Sequence, residues 1–346
     1  MSKLCVFISS PLEPEHVARI RAVDPERLEI VCEPDLWPPT RYIADHVGKL
    51  PFIRDEDQER RWREALQRAD ILFDLPRKRE DAALLGRLKW VQTTSTGVGQ
   101  SVKALGLQNS DVLVTTARGV HAGPLAEFVF MALLAHWRDL SRLEAEQARH
   151  RWLRYCGEEI AGRVLTIIGA GDLARGVAQR ARAFEMRTIA VARHVAKGRD
   201  HNALFDEIRP VSEMHAALAA ADATIVTVPH TPETERMIDA RAFAAMRKGS
   251  ALVNIARGIV VDEQALIDNL RSNHLGFAAL DVTTVEPLPA DSPLWDIKNV
   301  LISPHSASTV TTENAKITDI FCFNLRCWLD GKTERMRNVL DKQLLY

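Results

Sequence analysis

Residues 164–184 read VLTIIGAGDLARGVAQRARAF, an apolar run followed by a glycine-rich turn and an amphipathic stretch. The run predicts a strand, and the stretch after the turn predicts a helix. Gly169 and Gly171 occupy the first two places of a GxGxxG-type turn, with Ala174 in the third. The first glycine permits the tight turn, and the second lets a pyrophosphate approach the backbone. The third place needs only a small residue for helix–strand packing. Asp172 and Leu173 then lie at the pyrophosphate turn, where free N–H groups and the helix dipole favour an anion. The chemistry implied is dinucleotide binding; a glycine turn that binds no nucleotide is the competing reading. Residues 189–197, IAVARHVAK, raise a question about which dinucleotide. An acidic residue about 20 positions after the turn ordinarily bonds the adenine ribose, yet the chain has Ala192 there, followed by Arg193, His194 and Lys197.

These groups need a sheet to hold them. From residue 163 onward six apolar runs alternate with helical stretches: RVLTIIG, RTIAVA, ATIVTVP, SALVNIA, FAALDV and NVLISP. An earlier series, KLCVFIS, LEIVC, DILFDL, LKWVQTT and VLVTTA, has the same character. Between its strands, Trp62, Ala65, Leu66 and Ala69 share one helical face. Strands alternating with helices predict parallel sheets covered on both faces. A tract opening near Pro124 and running to 155 reads as one long helical connector, apolar first and charged later. A last helical stretch near 309–329 has no strand to follow, so it is expected to return to the first domain.

The 346 residues suffice for two domains, at roughly 150 residues each. A composition 46% hydrophobic and 26% charged is that of a globular protein able to bury large cores. A net charge of −1 gives no global attraction to nucleic acid or an anionic membrane surface. Five cysteines, an odd number without zinc-ligand spacing, predict free thiols in a reducing compartment and no metal site. LCVFI is too short for a signal-peptide core, and no run reaches the length of a membrane span. A cytoplasmic protein is expected.

SALVNIARGIVVDEQAL, ALDVTTVEPLP and NVLISPHSAS carry a more specific pattern. In order and spacing, residues from about 160 to 308 resemble the D-isomer-specific 2-hydroxyacid dehydrogenases. The N-terminal part matches more loosely, through LKWVQTTSTGVGQ, VLVTTARGV and AEFVFMALLA. The resemblance implies an α/β fold of two doubly wound parallel-sheet domains. A Rossmann-type nucleotide domain, 119–305, would be inserted into a flavodoxin-like substrate domain, 1–118 with 306–346. It also implies reduction of a 2-keto acid to a D-2-hydroxy acid by a nicotinamide cofactor. The family's catalytic arginine, glutamate and histidine fall on Arg257, Glu286 and His305. A guanidinium is a planar, bidentate partner for a carboxylate, and an imidazolium beside a carbonyl oxygen supplies a proton. A carboxylate beside the imidazole favours its charged form. Taken singly, each of the three is as well explained as an ordinary surface residue. Together, each past the end of an expected strand, they point to a site, because ligands of open α/β sheets gather there.

The resemblance places substrate-carboxylate contacts on the loop Thr96, Gly97 and Val98, although the family often has Asp where this chain has Gly99. It aligns the ribose-binding Asp with Ala192. Without that acid a 2′-phosphate is no longer repelled, and Arg193 stands where it would pair with one. NADP(H) is therefore the expected cofactor and NAD(H) the alternative. Further cofactor contacts are expected from Val228, Pro229 and Thr234, and from Ile255, Ala256, Asp281, Ala307 and Ser308 at the nicotinamide end. Asp281 fits a capping role nearly as well. Residues 124–155 imply a homodimer interface. Two other readings are weighed: a dinucleotide-binding scaffold of the corepressor type, disfavoured by the near-zero charge, and an NAD-dependent phosphoglycerate dehydrogenase-like enzyme. The chain reaches Tyr346 soon after His305, so no added regulatory domain is expected.

Overall fold

A computed structural model describes residues 3–193 and 204–344. The chain divides into two compact units, 1–120 with 309–346, and 121–308. In the first unit, β1 (Leu4–Ile8), β2 (Leu28–Val31), β3 (Ile71–Phe73), β4 (Trp90–Gln92) and β5 (Leu113–Thr115) form a parallel sheet of order β2-β1-β3-β4-β5. Helices α1 (Pro14–Arg21), α2 (Glu56–Arg68) and α3 (Gly99–Ala104) connect them. α2 begins at a reciprocal cap: Gln58 N–H donates to the Asp55 carboxylate at 2.8 Å, and the Gln58 side chain accepts from Asp55 N–H at 3.0 Å. Its Trp62, Ala65, Leu66 face is buried, as the spacing predicts.

The second unit opens with α4 (Ala122–Trp137) and α5 (Leu140–Ala148). Its strands are β6 (Val164–Ile168), β7 (Arg187–Ala192), β8 (Glu207–Pro210), β9 (Ala223–Val226), β10 (Ser250–Asn254), β11 (Leu275–Leu280) and β12 (Val300–Ile302). They form a parallel sheet of order β12-β11-β10-β9-β6-β7-β8. The remaining helices are α6 (Asp172–Ala183), α7 (Met214–Ala220), α8 (Ala240–Ala245) and α9 (Glu263–Arg271). Side-chain alternation divides the core in two. Leu165, Ile167 and Ala190 pack with α4 and α6, whereas Ile168, Ile189 and Val191 pack with α7, α8 and α9. The strand order reverses between β6 and β9, the switch point at whose carboxyl ends open α/β sheets bind their ligands.

The chain then re-enters the first unit as α10 (Glu313–Leu329). Phe321 stacks on Trp90 with ring centres 5.0 Å apart and meets Phe73 edge-on at 5.3 Å, which fixes α10 on the sheet. Two parallel-sheet α/β domains, as expected from the alternating runs, are therefore present.

Two local expectations are corrected. The strand β8 has no apolar run: its EIRP residues are half-buried at a sheet edge, held by register to β7 and by Arg187–Glu207 at 3.0 Å. The 124–155 tract is not one long helix. Asp139 adopts a left-handed conformation (φ 55°), separating α4 from α5, and no regular element follows α5 until β6. Much of the apolar surface of α4 is also spent inside its own unit, where Leu125, Ala126, Val129, Phe130, Leu133 and Trp137 are buried.

Among the described residues no helix is long and apolar enough to cross a membrane. All five cysteines are free, with Cys5, Cys322 and Cys327 buried.

Candidate active site

The turn after β6 has the geometry of a phosphate cradle. Gly169 has φ +115°, and a Cβ there would stand 2.5 Å from the Thr227 hydroxyl, so only glycine closes the turn against β9. Gly171 immediately precedes α6 and faces open space, with nothing within 4 Å of where a Cβ would lie. No side chain caps the helix there, which leaves its first N–H groups to an anion. Asp172 and Leu173 form the first turn of α6, and Ala174 is fully buried against the sheet. These residues fit the pyrophosphate of a dinucleotide.

Ala192 ends β7 and Arg193 follows it, exposed. Arg193 lies within electrostatic range of Glu233, in the loop that follows β9. His194 and Lys197 fall outside the described residues. Val228 is half-buried and Pro229 exposed just past β9. The Thr234 hydroxyl is engaged within its own turn, donating to Pro229 O at 2.7 Å and accepting from Thr231 N–H at 2.8 Å.

Arg257, Glu286 and His305 each follow a strand of the same sheet: β10, β11 and β12. His305 Nδ1 and Glu286 Oε2 are 2.7 Å apart. This pairing raises the imidazole's pKa; burial and the Arg257 charge oppose it, while Glu286 and Asp281 add to it electrostatically. On the carboxylate, burial acts upward, but the bond to His305, the bond from Thr283 N–H at 3.1 Å and the Arg257 charge hold its pKa below the ordinary value. Both shifts favour an imidazolium–carboxylate pair. Burial lowers the pKa of the Arg257 guanidinium, with Glu286 and Asp281 opposing; arginine nonetheless stays charged. His305 itself has φ 54°, a backbone conformation costing about 1–2 kcal/mol outside glycine. Asp281 holds it there. Its carbonyl accepts from His305 N–H at 2.9 Å, and its carboxylate accepts from Ser303 Oγ at 2.7 Å and Ala307 N–H at 2.9 Å, one on each side. Ser308 closes this stretch, half-buried.

A nucleotide cradle and an Arg–Glu–His group on one sheet invite comparison with known enzymes. The family profile described as "D-isomer specific 2-hydroxyacid dehydrogenase, NAD binding domain" matches residues 130–307. A glyoxylate reductase of Thermococcus gammatolerans is 31% identical over 94% of this chain and 93% of its own.

The chain belongs to the D-isomer-specific 2-hydroxyacid dehydrogenases.

A D-3-phosphoglycerate dehydrogenase of Mycobacterium leprae is 34% identical to this chain over 82% of its length. The chain spans 55% of that relative's length. Among solved structures, a family member from Xanthobacter autotrophicus Py2 in complex with NADPH and MES superposes with a TM-score of 0.75. It is 26% identical and both chains are covered in full.

In the first unit, Thr96, Gly97 and Val98 form the loop between β4 and α3. Thr96 and Gly97 are exposed and Val98 is buried, and Gly99 starts α3. The loop is pinned by Thr93 Oγ1 donating to Ser95 O at 2.7 Å and by Thr94 N–H reaching the Asp74 carboxylate at 3.3 Å. Earlier in the same unit, Trp37 packs in the core and Tyr42 is exposed. Motif matching passed over two residues of the second unit. Thr227 closes the glycine turn by donating to Ile168 O at 2.8 Å. Asn254 is the polar last residue of β10, and that polarity in an otherwise apolar run is the signal that would have found it.

Proposed function

We propose that this dehydrogenase reduces a 2-keto acid to the D-2-hydroxy acid, with NADPH as the preferred reductant and NADH the alternative. The observation that carries the reading is the 2.7 Å His305–Glu286 pair on the same sheet as the open glycine turn, with Arg257 in electrostatic range. When bound, the reduced nicotinamide supplies hydride to C2. Arg257 binds the substrate's carboxylate and carbonyl oxygen, and the amides of Thr96, Gly97 and Val98 are assigned to the carboxylate. His305, as imidazolium, gives its Nε2 proton to the oxygen that gains charge. Glu286 holds the ring by Nδ1 and stabilises its charged form. Ile255, Ala256, Asp281 and the His305–Ser308 stretch are assigned to the nicotinamide end of the cofactor.

Ala192 and Arg193 support the NADPH preference, as does the NADPH complex of the Xanthobacter relative. Ala192→Asp restores a ribose acceptor that repels a 2′-phosphate. The ratio of kcat/KM for NADPH over NADH is expected to fall at least about tenfold, about 1.4 kcal/mol. A wild type that already prefers NADH would overturn the assignment. The substrate screen pairs both cofactors with glyoxylate, hydroxypyruvate and bulkier 2-keto acids. It also runs D-3-phosphoglycerate in the oxidative direction, because the 34%-identical relative carries that name.

A homodimer is proposed from the stretch that carries exposed Met131, Leu140, Leu143, Leu153 and Trp152, the last 96% exposed. Light scattering after size exclusion is expected to give twice the 38.7 kDa chain mass. A monomeric mass would refute this.

A further inference from the structure

We infer that Asn254 is the positioning residue for Arg257, acting on substrate binding through that arginine; the inference rests on the reading of Arg257 proposed above. Asn254 is 1% exposed at the end of β10. Its backbone is fixed by the sheet, where its carbonyl accepts from Asp281 N–H at 3.0 Å. Its side chain turns forward and bonds the chain on both sides of the arginine's Cα. Oδ1 accepts from Ala256 N–H at 3.0 Å, and Nδ2 donates to Arg257 O at 3.1 Å. One rigid amide therefore fixes the Ile255–Ala256 peptide before the arginine and the Arg257–Gly258 peptide after it. The guanidinium is folded back on the same turn, with Nη1 donating to Ala256 O at 2.7 Å.

On its far side the turn has no slack. A Cβ at Gly258 would lie 2.0 Å from the Thr283 carbonyl carbon and oxygen, so backbone packs directly on backbone. Thr283 N–H in turn donates to Glu286 Oε1, and Thr284 N–H donates to the Glu263 carboxylate at 2.9 Å. The arginine's turn is held between a strand-borne amide and the loop that carries Glu286. A side chain whose bidentate geometry must be kept to within about half an ångström needs such support.

A double-mutant cycle distinguishes positioning from a general structural role. Asn254→Asp keeps the acceptor for Ala256 N–H but sets a second acceptor against Arg257 O, and Asn254→Ser leaves only a short hydroxyl. Each is expected to lower kcat/KM for the 2-keto acid about 10²-fold, chiefly through KM. NADPH affinity by nucleotide fluorescence should fall far less than kcat/KM. In an Arg257→Ala background the same substitutions are expected to cost less than about threefold, because the group they position is gone. A loss repeated in full in that background, or equal damage to NADPH binding, would overturn the inference. Where one variant folds poorly, the other completes the cycle. Absence of any 2-keto acid turnover by wild type would instead overturn the proposed function on which the inference stands.

Discussion

His305→Ala is expected to lower kcat for 2-keto acid reduction by about 10³-fold, within the range of a lost general acid, while NADPH affinity stays close to wild type. The imidazole is joined to Glu286 by Nδ1 alone, so its removal takes away the proton donor and leaves the glycine turn intact. The pH profile carries the more specific test. Reduction needs the imidazolium, whose pKa is raised first by the bond to Glu286. Activity in that direction is therefore full at low pH and falls as pH rises through the raised pKa, above the ordinary value of 6.5. Oxidation of the hydroxy acid needs the neutral ring and rises over the same window. Glu286→Gln removes the main cause of the shift, so both limbs should move to lower pH. Unchanged limbs in Glu286→Gln, or a His305→Ala enzyme as fast as wild type, would remove His305 from the chemistry.

Arg257→Ala is expected to reduce kcat/KM for the 2-keto acid by about 10³-fold, from the loss of two charge-assisted bonds worth about 1.5–3 kcal/mol each. The loss should appear mainly in substrate KM, with NADPH binding retained. Arg257→Lys should recover only part of it, because an ammonium is a point charge without the planar fork. This guanidinium is set into a half-buried turn between Ala256 and the Glu286 loop, which leaves its charge partly desolvated. Steady-state kinetics of the three enzymes with a single keto acid decide the matter. An Arg257→Ala enzyme with unchanged substrate KM would exclude the assigned contact.

Legibility differed from element to element for physical reasons. Strands buried on both faces, such as Ile71–Phe73 and Ser250–Asn254, are visible as apolar runs because each side chain meets a layer of helices. Edge strand β8 is hidden because it pairs on one side only and all four of its residues are half-buried, so EIRP carries no apolar run. The break at Asp139 is equally hidden, since the residues around it suit a helix and only a positive φ marks the end. The role of Asp281 is set by tertiary contacts as well. A lone acid after a strand fits either a cofactor contact or a cap, and its bonds to Ser303 and Ala307 show how it frames His305.

By itself the sequence determined the two α/β alternations, the glycine turn, the missing acid at Ala192 and the family, because these depend on residue type and local spacing. Tertiary structure alone decided what depends on distance across strands. It set the 2.7 Å approach of His305 to Glu286, residues 19 apart in the chain. It also placed Thr227 against Gly169, and Gly258 against Thr283. Local periodicity specifies which face of an element is buried, but sheet order and register specify which loops meet at its carboxyl edge.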